Sequence, residues 1–207
     1  QTIEMLARMG IGELIVVDED AFDISNLNRQ TLSSLAEVGL DKSAVACEKV
    51  RLINPYVKVT SFNEHVDESN IDKIVSDSDI VIDALDNVLT RVIVSRKAKE
   101  KGIPYIHGAI HGTLGQLTVF LPDGKRTYEE MFNLPSKGKE LTPDVLEALS
   151  NVTSGVPPAI GPTPNLIGCL EAIEAFKIIT GVGEVTVAPK ILTFDLLNLA
   201  SFSMDEI

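Results

Sequence analysis

Short apolar runs alternate with segments of helical periodicity along this chain, and that alternation limits its fold more than any other feature. The runs at residues 14–17 and 80–82 are each followed by an aspartate. Apolar runs of this length are typical of strands buried on both faces. The segments between them, such as residues 42–53, place apolar side chains three and four positions apart, which predicts helices. Strands joined by helices predict an α/β fold with a mostly parallel sheet and helices on both faces.

The same patterns predict the individual elements. Helices are expected over residues 1–9, 42–53, 70–75, 87–101 and 165–180, and strands over residues 14–17, 57–62, 80–82, 105–110, 116–121, 191–194 and 199–202. The last two strands would form a C-terminal extension of the sheet. Residues 123–155 are polar, with a weak helical pattern at 144–149, and are predicted to form a long loop excursion without hidden core. We expect a single domain over residues 1–207.

Charge balance and hydropathy exclude two classes of partner. The chain has 207 residues with 18 Lys and Arg against 30 Asp and Glu, a formal net charge of −12. Such a field repels the phosphates of nucleic acids and anionic lipid surfaces. No apolar run approaches the roughly 20 residues that cross a bilayer, and residue 1 begins no basic leader. The sequence therefore favours a cytoplasmic protein that binds neither nucleic acid nor membrane.

The spacing of cysteines and histidines indicates no metal centre. Cys47 and Cys169 lie singly within helical patterns, as small hydrophobic residues do, and form no CxxC pair. His107 and His111 would lie roughly 13 Å apart in an extended strand, too far for one metal ion. We assign these side chains no ligand role.

Polar residues that follow the predicted strands are candidates for ligand binding, because open parallel sheets bind ligands beyond the carboxyl ends of their strands. Asp18 follows the strand at 14–17 and could accept hydrogen bonds from a ribose; a solvated acidic turn is the alternative. Farther along the chain stand Ser25, Asn26, Arg29 and Lys42. In an acidic chain, an arginine and a lysine near a strand end suit a polyphosphate, although ordinary surface ion pairs would also explain them.

A second strand end carries Asp83, Asp86, Asn87 and Arg91. Asp86 could be the N-cap of the following helix, since Asp is a favoured capping residue. It could also ligate Mg²⁺, which proteins hold through one or two carboxylates together with substrate phosphates. The two roles are compatible. The ribose carboxylate, the two cations and a Mg²⁺ carboxylate together predict a nucleoside triphosphate site.

Six short motifs occur in order within the first 122 residues or so. They are VDED at 17–20, SNLNRQT at 25–31, GLDK at 39–42, INP at 53–55, DALDN at 83–87 and GQLTV at 115–119. In order and spacing they resemble the ThiF/MoeB/HesA family, relatives of the ubiquitin-activating enzymes. Residues 161–181 are similar to the late helix of that family. The resemblance implies a Rossmann-like fold.

The resemblance also implies an adenylyltransferase of the ubiquitin-like modifier activating type. Its reaction would be the ATP- and Mg²⁺-dependent adenylation of the C-terminal glycine of a ubiquitin-like sulfur-carrier protein (ThiS/MoaD-like) that ends in Gly-Gly, with release of pyrophosphate. Members of the family usually form homodimers, so a homodimer is expected.

Site residues follow from the position of each motif in the family. Arg29, Lys42 and Asp86 would be catalytic, because cations and Mg²⁺ stabilise charge that develops on the phosphates. Asp86 would be the Mg²⁺ ligand. The residues expected to contact the nucleotide or its metal ion are Asp18 at the ribose, Ser25, Asn26, Arg29, Lys42, Asp86 and Asn87.

The sequence departs from the family pattern in three ways. The strand and glycine-rich phosphate loop that precede the helix at residues 1–9 in the family do not occur, so the chain resembles an N-terminally truncated adenylation domain. The zinc-binding CxxC pairs are also missing, and residues 127–132 stand where the first pair would lie, so no zinc is expected. None of residues 151–154 is cysteine, so the resemblance implies no covalent thioester on this chain.

Two other functions are compatible with these residues. A non-catalytic scaffold subunit of a heterodimeric activating enzyme would explain the missing loop and cysteine, and an NAD-dependent oxidoreductase would explain Asp18. Arg29, Lys42 and Asp86 argue against both, since neither function needs a phosphate clamp or Mg²⁺. Replacing Asp86 by alanine would separate an enzyme, which loses Mg²⁺-dependent turnover, from a scaffold, which keeps its partner.

Overall fold

The computed structural model describes residues 1–152 and 158–207. The helices are α1 Thr2–Met9, α2 Lys42–Ile53, α3 Ile71–Val75, α4 Val88–Lys101, α5 Tyr128–Met131, α6 Pro143–Ser150 and α7 Pro162–Thr180. The strands are β1 Glu13–Val17, β2 Lys58–Phe62, β3 Val81–Asp83, β4 Tyr105–His111, β5 Leu114–Phe120, β6 Lys190–Asp195 and β7 Asn198–Glu206. Each predicted helix and strand is present, whereas α5 was not predicted. Residues 153–155, the end of the predicted excursion, lie outside the described residues.

The strands form two sheets. β1 and β2 pair in parallel, and the second sheet has the order β3-β4-β5-β6-β7. Its β3–β4 pair is parallel, and the pairs from β4 to β7 are antiparallel. The α/β class and the C-terminal extension are confirmed, but the pairing is less parallel than predicted. Antiparallel neighbours need no crossover helix: β4 and β5 are joined by a two-residue turn in which Gly112 has φ +61°.

Helices cover the second sheet on both faces, as predicted. Tyr105 and Ile106 are neighbours in β4 and therefore point to opposite faces, and both are buried. Tyr105 shares a core with α3 and α4, and Ile106 shares one with α1 and α7. α7 starts earlier than predicted, at Pro162, because proline is well suited to the first helical turn. Within the described ranges, no helix is long and apolar enough to cross a membrane.

The excursion after β5 contributes core, so the prediction that it would not is wrong. Tyr128, Met131 and Leu149 are buried in the same cluster as α4. Arg96 of α4 also binds this segment. It donates to both carboxylate oxygens of Glu129 at 2.8 and 2.7 Å and to two backbone carbonyls farther along the chain. No apolar run here is longer than two residues, so the sequence contains no strand-like apolar run that would indicate core.

Gly108 of β4 has no room for a methyl group. An added Cβ would overlap the carboxylate of Glu171 and lie 2.5 Å from Ile167 Cγ2, both on α7. We expect Gly108→Ala to lower the free energy of unfolding by about 1–3 kcal/mol, because a tightly packed site relaxes only with strain. Gly12→Ala, where nothing lies within 4 Å of the added atom, should change it by less than about 0.5 kcal/mol. Urea unfolding of the two variants measures this difference, and equal stabilities would contradict the packing described.

Candidate functional site

Asp18 begins the site, directly after β1. Its side chain is half-buried, and its Oδ1 accepts a hydrogen bond of 2.9 Å from the backbone N–H of Asp20. Burial raises the pKa of Asp18 above its ordinary value, while the Asp20 N–H and the charge of Lys42 act in the opposite direction. The partial burial argues against a purely solvated acidic turn.

Lys42 is brought to the same place by the start of α2. Its backbone N–H donates to the carbonyl of Asp20 at 2.9 Å, and its Nζ lies 2.7 Å from Asp20 Oδ2. The lysine side chain is 15% exposed, so its ammonium is held near the end of β1 and does not extend freely into solvent. Asp18, Asp20 and Lys42 therefore form one cluster of charges.

Ser25, Asn26 and Arg29 lie in the loop between β1 and α2. A short 3₁₀ turn at Ile24–Asn26 is capped by Asp23, whose Oδ1 accepts from the Ser25 N–H at 2.8 Å. The hydrogen bonding is reciprocal, because Oδ1 of the buried Asn26 accepts from the Asp23 N–H at 3.0 Å. The side-chain oxygen of Asn26 is thus used by the loop itself, which leaves its NH₂ group for a ligand.

The Arg29 guanidinium is partly used by the same loop. Its Nη1 donates to the Ser25 carbonyl at 2.8 Å and to Asn28 Oδ1 at 2.9 Å. An arginine has five N–H donors, so Nε and Nη2 remain for a phosphate. No hydrogen bond between described residues joins Arg29 directly to Asp18 or Lys42.

The start of α7 holds this loop from a distant part of the sequence. Asn28 Nδ2 donates to the carbonyl of Ala159 at 3.1 Å, and Asn165 Nδ2 lies 3.5 Å from the carbonyl of Arg29. Neither Asn165 nor Ala159 could be predicted as a partner of this loop, because nothing local in the sequence relates them to residues 25–29. The position of Arg29 therefore depends on residues at least 130 positions away.

Asn87 is the N-cap of α4, and the interpretation of Asp86 as the cap is wrong. Asn87 has extended backbone angles, φ −125° and ψ 144°, and its Oδ1 accepts from the Thr90 N–H at 2.8 Å. Asp86 is exposed between β3 and α4, and across the described ranges its carboxylate has no hydrogen-bond or ion-pair partner. Among the described residues, no hydrogen bond joins Asp86 to the cluster of Asp18, Asp20 and Lys42.

A buried polar network lies behind Asp86, around Asp83 at the end of β3. Asp83 Oδ2 accepts from the Tyr105 hydroxyl at 2.8 Å and lies 2.7 Å from His107 Nδ1. Arg91 Nε is 3.0 Å from the same oxygen. Burial by itself would raise the pKa of Asp83, but Arg91 and His107 hold it below its ordinary value. Burial lowers the pKa of His107, so a neutral imidazole donates its Nδ1–H to the carboxylate.

Comparison with known proteins decides the family. The sequence matches the ThiF family over residues 1–206. The chain belongs to the ThiF family. It is 37% identical to the SAMP-activating enzyme E1 of Haloferax volcanii over 198 residues, which cover 95% of this chain and 68% of that protein. It is 32% identical to the molybdopterin-synthase adenylyltransferase of Escherichia coli, covering 94% of this chain and 74% of that protein.

Solved structures agree with the fold of this ThiF family chain. The crystal structure of E. coli MccB with ATP matches at a TM-score of 0.80 and 22% identity, covering 99% of this chain and 59% of that one. The chain spans only 39% of the maize adenylyltransferase and sulfurtransferase MOCS3-1, at 36% identity over 93% of its own length. The predicted family and its adenylyltransferase type are confirmed.

His107 is a neighbour of Asp83 that was not predicted from the sequence. The sequence spacing relates His107 only to His111, whereas the parallel register of β3 and β4 sets it beside Asp83. Gln116 of the GQLTV motif lies on its other side, 3.4 Å from His107 Nε2. Aligning the ends of these two strands in parallel register would have indicated that His107 lies beside Asp83.

Glu171 is a second buried carboxyl, on the opposite side of β4. It lies on α7 against Gly108, and its Oε2 accepts from the Thr2 hydroxyl at 2.6 Å. Burial raises the pKa of Glu171 to about 8, from an ordinary value of 4.5. A hydrogen-bonded, protonated carboxyl is the form that the folded chain favours near neutral pH.

Glu171 should make the chain less stable as pH rises. Between pH 4.5 and about 8 the folded protein binds a proton that the unfolded chain has released, so the free energy of unfolding falls across this window. Glu171→Gln should remove a decrease on the order of 3 kcal/mol. The exposed Glu140→Gln should leave the decrease in place. Urea unfolding at pH 5 and pH 8 measures both, and an unaltered pH dependence in Glu171→Gln would refute this assignment.

Proposed function

We propose that this chain adenylates the C-terminal glycine carboxylate of a ubiquitin-like sulfur-carrier protein, consuming ATP with Mg²⁺ and releasing pyrophosphate. The observation that carries the proposal is the position of Asp86. It is exposed beyond the end of β3, and Asn87 performs the capping role in its place. The names of the relatives, an activating enzyme and an adenylyltransferase, support the reaction type.

The reaction needs no general base, because the attacking carboxylate is already ionised at pH 7. It attacks the α-phosphorus of ATP and forms an O–P bond. The bond from the α-phosphorus to the oxygen that bridges to the β-phosphate breaks, and pyrophosphate leaves with the electron pair. The products are an acyl-adenylate and pyrophosphate.

The polar residues at the strand ends suit this chemistry. Negative charge grows on the phosphate oxygens, and Lys42 together with the remaining N–H groups of Arg29 would stabilise it. Because Asp20 and the Ser25 carbonyl already hold these two cations, little reorganisation is needed when the nucleotide binds. Asp18 would accept hydrogen bonds from the ribose hydroxyls.

The donor set fits Mg²⁺. Within residues 1–152 and 158–207, no group of three or more His, Cys, Asp or Glu side chains could hold a metal ion alone. Mg²⁺ needs no such group, since it is commonly bound through one or two carboxylates, waters and substrate phosphates. Asp86 would supply the carboxylate, and the ion would neutralise phosphate charge.

The proposal extends to partners and location. The carrier would end in Gly-Gly, and the chain would act as a homodimer in the cytoplasm, without zinc and without a covalent thioester. The resemblance to the family supports these parts. The position that corresponds to a thioester cysteine, residues 151–154, lies partly outside the described residues. A single adenylation domain over residues 1–207 belongs to the same proposal.

Carrier-dependent exchange of labelled pyrophosphate into ATP tests the proposed reaction. In the full-length protein, Asp86→Asn should slow this exchange at least about 100-fold, because the Mg²⁺ carboxylate is lost. Asp79→Asn makes the same charge change at the other end of β3 and should keep the exchange rate within about twofold.

Each outcome has a definite meaning. Undiminished exchange in Asp86→Asn would contradict the role of that carboxylate. An unsubstituted protein that binds a Gly-Gly carrier without any exchange would be a scaffold subunit. One that binds ATP but responds to no carrier would act on a different acyl substrate.

A further inference from the structure

One buried ion pair binds both backbone groups of Leu85, the residue before Asp86. Asp83 Oδ1 accepts from the Leu85 N–H at 2.8 Å. Arg91 Nη2 donates to the Leu85 carbonyl. These two groups belong to successive peptide units, 84–85 and 85–86, so the backbone on both sides of the Leu85 Cα has little freedom to rotate.

The two side chains of this pair are themselves fixed. The Asp83 side chain is fully buried and that of Arg91 is 12% exposed. Asp83 is also bonded to Tyr105 and His107, so its carboxylate cannot turn without losing hydrogen bonds inside the protein. The ion pair is therefore a rigid support for the backbone of Leu85.

The loop that carries Asp86 is therefore fastened on both sides of it. Leu85 is bound by the ion pair, and Asn87 is bound to the first turn of α4 through the Thr90 N–H. The Asp86 carboxylate itself has no partner within the described part of the chain, so its direction is set by its neighbours alone.

We propose that Asp83 and Arg91 are positioning residues that aim the Asp86 carboxylate at the Mg²⁺ and phosphates of the nucleotide. This inference rests on the proposed function. Stability does not require a buried pair at this place, because an apolar pair of similar volume is often as stable. What an apolar pair could not supply is an acceptor for the Leu85 N–H and a donor for its carbonyl.

Arg91→Lys is the informative variant. Lysine keeps the charge, but its single ammonium cannot reproduce the planar fork that reaches Asp83 and the Leu85 carbonyl together. Arg96→Lys is the matched control, because Arg96 lies on the same helix and makes a half-buried fork to Glu129, away from Leu85.

Hydrogen exchange tests the support without any variant and without nucleotide. In the unsubstituted full-length protein, the Leu85 amide should exchange at least about tenfold more slowly than the Asp86 amide. Arg91→Lys should raise the exchange rate of the Leu85 amide by about tenfold, whereas amides in the middle of α4 should keep their exchange rates. Equal exchange at Leu85 and Asp86 in the unsubstituted protein would overturn the proposal even if no variant folds.

The Mg²⁺ requirement of pyrophosphate exchange tests the effect on Asp86. In Arg91→Lys the Mg²⁺ concentration for half-maximal rate should rise about tenfold, as expected when a residue supporting a metal ligand is lost. The KM for ATP at saturating Mg²⁺ should stay within about twofold, and Arg96→Lys should change neither. Asp83→Asn is the second variant, and it should raise the Mg²⁺ concentration for half-maximal rate by the same factor.

The failures of the two proposals can be told apart. A protected Leu85 amide in a protein with no Mg²⁺-dependent exchange would overturn the proposed function and, with it, the purpose of the support. Mg²⁺-dependent exchange in the unsubstituted protein, with the same Mg²⁺ requirement in folded Arg91→Lys, would overturn the positioning role alone.

Discussion

The carboxylate of Asp83 is a charge without contact to solvent, and such a charge must be neutralised and hydrogen-bonded where it lies. Its partners come from separate elements: Arg91 from α4, Tyr105 and His107 from β4. The aromatic rings of Tyr128 and Phe132 then cover His107, with ring centres 5.1 and 5.3 Å away. Removal of one member of a buried pair commonly costs roughly 3–5 kcal/mol, so the strand end, the helix and the excursion hold one another in place.

The two strand ends of the proposed site belong to different sheets. Asp18 follows β1 in the two-stranded sheet, and Asp86 follows β3 in the five-stranded one. No backbone ladder joins these strands among the described residues; Val17 and Leu85 instead pack against the same apolar cluster of α3 and α4. Side-chain packing, and not strand pairing, therefore sets the distance between the ribose carboxylate and the metal carboxylate of the proposed site.

Part of the candidate site could be placed in advance, because Asp18, Lys42, Asp86 and Asn87 stand at a strand end or a helix start, which local sequence reveals. Asp18 and Lys42 come together as expected, since one ends β1 and the other begins α2. The choice between Asp86 and Asn87 as helix cap could not be made in advance. Both residues are favoured caps, and only the backbone angles of Asn87 show which one bonds to the Thr90 N–H. The partners of the Arg29 loop were missed because Ala159 and Asn165 are remote in sequence.

The sequence by itself determined the α/β class, the order of the elements and the family, because these depend on apolar periodicity and on short motifs. Tertiary structure alone decided the antiparallel extension, the core within the excursion and the role of His107. Each of these depends on which residues meet across strands or between a strand and a distant segment. The burial of Asp83 is the clearest case. In the sequence, Asp83 looks like an ordinary polar residue at a strand end. The surrounding protein excludes water from its carboxylate, so its four hydrogen-bonding neighbours, Arg91, Tyr105, His107 and the Leu85 N–H, become necessary.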